Sequence, residues 1–232
     1  MHFQCSTAAI ILAAGSSSRM GAGRHKLLLL LNDRPVLAHV IEAALVSQAR
    51  PIIVVLGHQA EQVRAQLARY NTDSAITYVE NPDYLQGMST SMCVGLTYLQ
   101  NQINAAIASV DSALIMLGDQ PLVTPRMLDT LIDLWHTTGK PVVAPLYAGK
   151  RGNPTLFATS LFPELLQVSG DEGGRSVIER HKQELATVEL GDAVANYDVD
   201  TWEAYQQVVD LWQQKGQDTR KGNAPTIHAE DQ

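Results

Sequence analysis

Apolar positions along this chain fall into two alternating rhythms. Short, largely apolar runs read as buried strands at Ala8–Ala13, Ile52–Leu56, Ile76–Val79, Ala113–Leu117 and Pro141–Pro145. Stretches with helical spacing lie between them: Pro35–Val46, Gln59–Tyr70 with Val63 and Leu67 on one face, Met88–Leu99, and a helix opening at Thr124-Pro125 and running through Trp135. Thr124 suits an N-cap, and Pro125 the first helical position, where a missing N–H costs no intrahelical bond. This alternation predicts an α/β domain, an open and mostly parallel sheet flanked by helices.

Past residue 150 the rhythm loosens. Thr155–Phe157 reads as a strand, Leu161–Gln167 as a short helix, Glu184–Leu190 as an alternating edge strand and Thr201–Trp212 as a C-terminal helix. From Gln213 the chain is polar, with Gly and Pro. The expectation is one domain over residues 1–216 and a disordered polar tail over 217–232.

Composition narrows this picture. At 232 residues and 45% hydrophobic content the chain can bury a full core and is not a disordered protein. No apolar run reaches the roughly 20 residues that span a bilayer, and the N-terminus lacks the basic segment of a signal peptide. A cytoplasmic protein with no membrane partner is expected. Cys5 and Cys93 are too few and too far apart for a disulfide framework or a zinc site. A formal net charge of −7 argues against nucleic acid. It leaves room for a small polyanion where cations gather near glycines, at Arg19, Arg24, Lys26, Lys150, Arg151 and Arg175.

The first of these places is the most informative. The strand ending at Leu12 stops in Ala13-Ala14-Gly15-Ser16-Ser17-Ser18-Arg19-Met20-Gly21, with Arg24 and Lys26 following. Small residues leave backbone N–H groups bare, and the cations supply counter-charge, so the segment points to a nucleotide polyphosphate. Neither a dinucleotide-binding glycine fingerprint nor a P-loop can be laid on it.

Asp119, in Gly118-Asp119-Gln120-Pro121, follows a buried strand at the sheet edge where ligands bind in open α/β folds. It reads equally as a Mg²⁺ ligand between phosphates and as a turn aspartate satisfying local N–H groups. Asp198 and Asp200 share one face of an extended segment and offer a second half of a metal site, or a helix cap. The stretch Asn81–Ser91, with Gly87, precedes a helix whose first N–H groups favour an anion or a base edge; a plain capped start is the alternative. Arg151-Gly152-Asn153-Pro154 and Gly170–Arg175 each place an arginine beside flexible backbone, as an acceptor phosphate or mere solvation would suit. His25, His39, His58, His136 and His181 show no ligand spacing and are assigned no chemistry.

In order, these segments resemble the nucleotidyltransferases of molybdenum-cofactor biosynthesis, the molybdopterin cytidylyltransferase type above all. The resemblance runs from Ala8 to about Leu211 through L-A-A-G-x-S-x-R-M-G at Leu12–Gly21, N-P…G-M-x-x-S at Asn81–Ser91, G-D-Q-P at Gly118–Pro121, R-G-N-P at Arg151–Pro154, G-D-x-G-x-R at Gly170–Arg175 and D-x-D-T at Asp198–Thr201. It implies a single Rossmann-like domain and transfer of CMP from CTP to the terminal phosphate of molybdopterin or its molybdenum-loaded form, with release of pyrophosphate. It implies that Leu12, Ala13, Ala14, Gly15, Ser16, Gly87 and Ser91 bind the nucleotide. Arg19 and Lys26 would act on the departing pyrophosphate, Asp119 with Asp198 and Asp200 would bind Mg²⁺, and Arg151, Asn153 and Arg175 would hold the acceptor. A transient contact with a recipient molybdoenzyme follows from the same resemblance. Guanylyl relatives usually carry Leu-Ala-Gly-Gly where this chain has Leu12-Ala13-Ala14-Gly15, hence the expectation of CTP over GTP. Trp202 replaces the proline usual after D-x-D-T, and Ala204 an acidic residue. Two other readings are a nucleotidyltransferase with another acceptor, such as a sugar phosphate, and a non-catalytic cofactor-handling chaperone.

Overall fold

The computed structural model describes residues 6–21, 23–70, 73–191 and 196–221. Its strands in chain order are β1 (Thr7–Ala13), β2 (Leu30–Leu31), β3 (Arg34–Pro35), β4 (Ile52–Leu56), β5 (Ile76–Glu80), β6 (Ser112–Leu117), β7 (Val142–Tyr147), β8 (Lys150–Arg151), β9 (Thr155–Ala158) and β10 (Leu185–Glu189). The helices are α1 (Val36–Val46), α2 (Ala60–Gln66), α3 (Met88–Asn104), α4 (Pro125–Thr138), α5 (Phe162–Leu165), α6 (Arg175–Arg180) and α7 (Trp202–Lys221).

Eight strands form one sheet in the order β10-β7-β9-β6-β1-β4-β5, with β8 paired to β7. The β6-β1-β4-β5 half is parallel throughout. β9 runs antiparallel between β6 and β7, and β10 closes the far edge parallel to β7. The sheet is therefore mostly parallel and helix-flanked, as its pattern predicts. The antiparallel insertion of β9 is what the sequence did not show.

β1 is buried along its whole length and alternates between two cores. Ala9, Ile11 and Ala13 pack with α1 and α4 on one face; Ala8, Ile10 and Leu12 pack with α3, α5 and α6 on the other. A strand covered on both sides needs apolar residues at every position, which is why its sequence reads as a continuous run rather than an alternation. β4 divides the same way, Ile52, Val54 and Leu56 against Ile53 and Val55.

A third, smaller cluster joins Met20, Leu31, Val36, Leu122, Val199 and Val208. It clamps the loop after β1, the loop after β6 and the start of α7 onto one another. α7 extends to Lys221, so residues 217–221, assigned above to the tail, are helical; residues 222–232 lie outside the described residues. No helix among the described residues is long and apolar enough to cross a membrane.

Candidate active site

Two buried side chains anchor the loop after β1. Met20, in the short 3-10 turn Ser18–Met20, is 2% exposed, and Leu27, in the turn Lys26–Leu28, is 1% exposed. Between them the Ser17 hydroxyl accepts a hydrogen bond from the Lys26 backbone N–H at 3.1 Å. The anchored backbone sends the Lys26 side chain to two carboxylates: its Nζ lies 2.5 Å from Asp119 Oδ2 and 2.7 Å from Asp200 Oδ1. Arg19 Nη1 reaches the other oxygen of Asp200 at 3.0 Å, from a side chain that is 71% exposed.

Backbone bonds bring the carboxylates together. The Gly118 N–H donates to the Leu12 carbonyl at 2.9 Å, setting Asp119 beside the end of β1, and the Val199 N–H donates to the Asp119 carbonyl at 3.0 Å, laying the 198–200 segment across it. Asp198 Oδ1 accepts from Gln120 Nε2 at 2.6 Å. Segments from three distant parts of the sequence thus meet at the carboxyl ends of β1 and β6, the ligand edge of an open α/β sheet.

The charges at this meeting are unevenly matched. Burial acts against the Lys26 ammonium, but Asp119 and then Asp200 outweigh it, and its pKa stands above the ordinary lysine value. Burial would raise Asp200; the hydrogen bond and charge of Lys26, helped by Arg19, win and hold it low. Asp198 goes the other way: burial and the neighbouring charge of Asp119 push it up against the Gln120 hydrogen bond. Lys26 is engaged by Asp119 and Asp200, and Asp198 is left facing a like charge.

Among the described residues no three His, Cys, Asp or Glu side chains form a ready metal cluster. The donor chemistry nevertheless fits a hard divalent cation. Asp119 and Asp198 offer carboxylate oxygens, and their mutual repulsion is what such a cation relieves.

The opposite wall comes from α3 and the loop before α6. Gly87 adopts φ 112°, and a Cβ there would lie 2.6 Å from the Gly170 backbone. With no side chain in the way, Gly170 accepts from the Ser89 N–H at 3.0 Å, and Asp171 Oδ1 accepts from the Met88 N–H at 2.9 Å. The first N–H groups of α3, read above either as meeting an anion or a base edge or as a plain capped start, are capped by the chain's own loop. Asn81 is a supporting residue as well: its amide donates to Thr90 Oγ1 at 2.8 Å and Ser91 Oγ at 2.9 Å.

These walls enclose an open cavity of about 410 Å³ bordered by Leu12, Ala13, Ala14, Gly15, Arg19, Lys26, Ser91, Asp119, Arg175, Asp198 and Asp200. Ser16 and Gly87 border a second hollow of about 270 Å³ that shares Gly15, Arg19, Lys26 and Asp200 with it. Arg151 and Asn153 border neither. Arg151, on β8, points to Glu179 at 3.4 Å. The Asn153 N–H donates to Asn196 Oδ1 at 3.1 Å, and its carbonyl accepts from the Tyr147 hydroxyl at 2.9 Å, so R-G-N-P braces the segment leading to Asp198. Arg24 lies over the Trp202 ring, 4.4 Å from its centroid, and ties the loop to α7.

Sequence reasoning missed Tyr84, Met88, Leu117 and Asp171, all of which border the larger cavity. Asp171 stood inside the G-D-x-G-x-R motif, where its N-terminal capping role had no local signal. A third, apolar hollow of about 450 Å³, across His39, Leu122 and Trp212, holds none of the clustered carboxylates.

Residues 9–185 match the family model described as MobA-like NTP transferase domain. The chain is 30% identical over 199 residues to the molybdenum cofactor cytidylyltransferase of Escherichia coli (strain K12), covering 83% of this chain and 90% of that protein. It is 35% identical over 127 residues to the bifunctional protein GlmU of Francisella philomiragia, and spans only 25% of that protein's length. Among solved structures, Rv0371c from Mycobacterium tuberculosis H37Rv superimposes with a TM-score of 0.74 at 29% identity, over 89% of this chain and 98% of that one. A complex of Rv0371c with manganese gives a TM-score of 0.67 at 27% identity, over 88% and 98% of the two chains.

Proposed function

This chain belongs to the family of MobA-like NTP transferase domains, and from that premise we propose that it transfers CMP from CTP to the terminal phosphate of molybdopterin or its molybdenum-loaded form, releasing pyrophosphate. The observation that carries the reading is the convergence of Lys26, Arg19, Asp119, Asp198 and Asp200 on one open cavity at the carboxyl ends of β1 and β6. The match to a molybdenum cofactor cytidylyltransferase over most of both chains supports the choice of acceptor and nucleotide.

An oxygen of the acceptor phosphate attacks the α-phosphorus; the new P–O bond forms as the bond from the α-phosphorus to the bridging oxygen breaks, and pyrophosphate leaves with that oxygen. The acceptor is already ionised, so no protein nucleophile or base is needed, and catalysis is positioning plus neutralisation of charge. Arg19 and Lys26 bind the departing phosphates. Asp119 and Asp198 would hold Mg²⁺, which would supply positive charge to the phosphates; the manganese complex of a relative supports a divalent metal in this fold. Arg175 is the cavity cation left for the acceptor. A cytoplasmic location and a transient contact with a recipient molybdoenzyme belong to the same proposal.

The second reading is a nucleotidyltransferase with another acceptor, such as a sugar phosphate; the shorter match to GlmU proteins shows that the similarity of this chain is not confined to molybdenum-cofactor enzymes. Pyrophosphate release measured with CTP or GTP, with molybdopterin or a sugar phosphate, decides. The proposal expects turnover with molybdopterin and a higher kcat/KM for CTP. Equal values or a GTP preference would overturn the cytidylyl assignment, and turnover with the sugar phosphate alone would overturn the acceptor.

A further inference from the structure

Tyr84 stands in none of the expected site positions, yet it borders both hollows of the site. It opens the 3-10 turn Tyr84–Gln86, and its neighbours hold it in place. At Gly57, just after β4, a Cβ would lie 2.8 Å from Tyr84 Cβ and 2.7 Å from Ala14 Cβ, so the bare backbone there lets Tyr84 and the loop after β1 close on each other. His58 Nδ1 sits 3.3 Å from the Tyr84 hydroxyl, with ring centroids 5.9 Å apart and tilted by 55°. His25 stacks on His58 at 5.7 Å and 16°, and its Nε2 donates to the His58 carbonyl at 3.2 Å. Burial keeps the pKa of His25 below the ordinary imidazole value.

Three rings in series thus lead from the buried side of the loop to the wall of the cavity. Tyr84 is half-buried and faces the space the substrates must fill. Its hydroxyl is engaged by His58, which leaves the ring as the group it presents. A pre-oriented aromatic ring beside phosphate-binding cations suits a planar ring attached to that phosphate.

We propose that Tyr84 is a substrate-binding residue whose ring packs against the planar heteroaromatic ring of a substrate, and that His58 and His25 are positioning residues acting through it. The inference rests on the transferase reading, which supplies two such rings, the base of the nucleotide and the pterin of the acceptor.

Calorimetric titration of the full chain with CTP and with inorganic tripolyphosphate, alongside steady-state transfer to molybdopterin, tests it. If the ring is the base, Tyr84→Leu weakens CTP binding roughly tenfold and leaves tripolyphosphate binding unchanged. Tyr84→Phe stays near wild type, and His58→Ala falls between wild type and Tyr84→Leu. If the ring is the pterin, CTP binding of Tyr84→Leu is unchanged while KM for molybdopterin rises roughly tenfold at nearly constant kcat. Unchanged CTP affinity together with unchanged KM overturns the proposal, as does a parallel loss of CTP and tripolyphosphate binding. Wild-type protein that binds neither probe and releases no pyrophosphate overturns the transferase reading and this inference with it; a working wild type with an indifferent Tyr84→Leu overturns this inference alone.

Discussion

Lys26 is the residue on which the site's electrostatics turn. Its ammonium neutralises Asp119 and Asp200 in a place where only 13% of the Lys26 and Asp119 side chains is exposed. Lys26→Met would leave three carboxylates facing one another. Breaking such a pair by removing one partner typically costs about 3–5 kcal/mol, and we expect about 3 here because Asp200 remains partly solvated. The sign with pH follows. Asp200 is held below its ordinary value, so its wild-type contribution is present at neutral pH and is lost as pH falls through the depressed folded value. Without Lys26 the carboxylates repel, and the variant should recover relative to wild type on acidification. Urea melts of both proteins at neutral and mildly acid pH check this; a variant as stable as wild type at neutral pH would refute it. Gly87 is the second decisive residue. Its backbone angles, φ 112° and ψ 167°, fall in a region essentially reserved for glycine, and a Cβ would strike Gly170. Gly87→Ala should cost about 1–3 kcal/mol and detach the 170–175 loop, read as a lower Tm together with faster amide exchange at Ser89. An unchanged exchange rate at Ser89 would show that the loop does not depend on this glycine.

Elements were legible where their signals are local. The α4 start is an example: the Thr124 side chain accepts from the Met127 N–H at 3.3 Å, with Pro125 in the first turn, as the sequence predicts. β4 begins and ends where its apolar run does. α6 escaped notice because it has only six residues and follows a glycine-rich stretch. β9 reads as a strand, but its direction is decided by partners on β6 and β7 rather than by its own four residues. α6 also carries an element-scale prediction. The imidazole of His181, its C-cap residue, has Nδ1 3.0 Å from Glu184 and Nε2 2.9 Å from Glu164 of α5. Those carboxylates, Glu184 first, raise its pKa above 6.5. The folded state therefore binds the proton more tightly than the unfolded chain. The stabilisation is complete below about pH 6.5 and disappears as pH rises through the higher folded value. Tm should fall between about pH 6 and pH 8.5 by more in wild type than in His181→Gln; identical slopes would mean that the clamp contributes nothing.

At the scale of the whole molecule, the sheet edge where the candidate cavity lies was foreseeable, because ligands of open α/β sheets bind outside the carboxyl ends of the strands. The assembly across the sheet was not. Arg151 looked like an acceptor ligand, and nothing near it in sequence announced Glu179, 28 positions away, as its partner. α7 was foreseen as a helix but not as a clasp. Val208 is fully buried in the third cluster, the Tyr205 hydroxyl donates to the Leu30 carbonyl at 2.6 Å, and Trp212 meets His39 edge-on at 4.4 Å. Removing residues 202–232 should therefore take away much of a total stability of the usual 5–15 kcal/mol, read as loss of a cooperative thermal transition. A truncated chain that still melts cooperatively near the wild-type Tm would show that the cluster holds without α7.

The central place of β1 has a consequence for how the protein is made. Thr7 and Ser112 share a hydroxyl hydrogen bond at 2.7 Å across 105 positions of sequence. At a synthesis rate of roughly 5–20 residues per second, β1 leaves the ribosome about 5–20 seconds before β6 exists to cover its second edge. Throughout that interval a strand that is buried along its whole length in the finished fold has an open edge, a template for pairing with the wrong neighbour. Chains stalled before residue 112 are accordingly the ones on which a chaperone should be found.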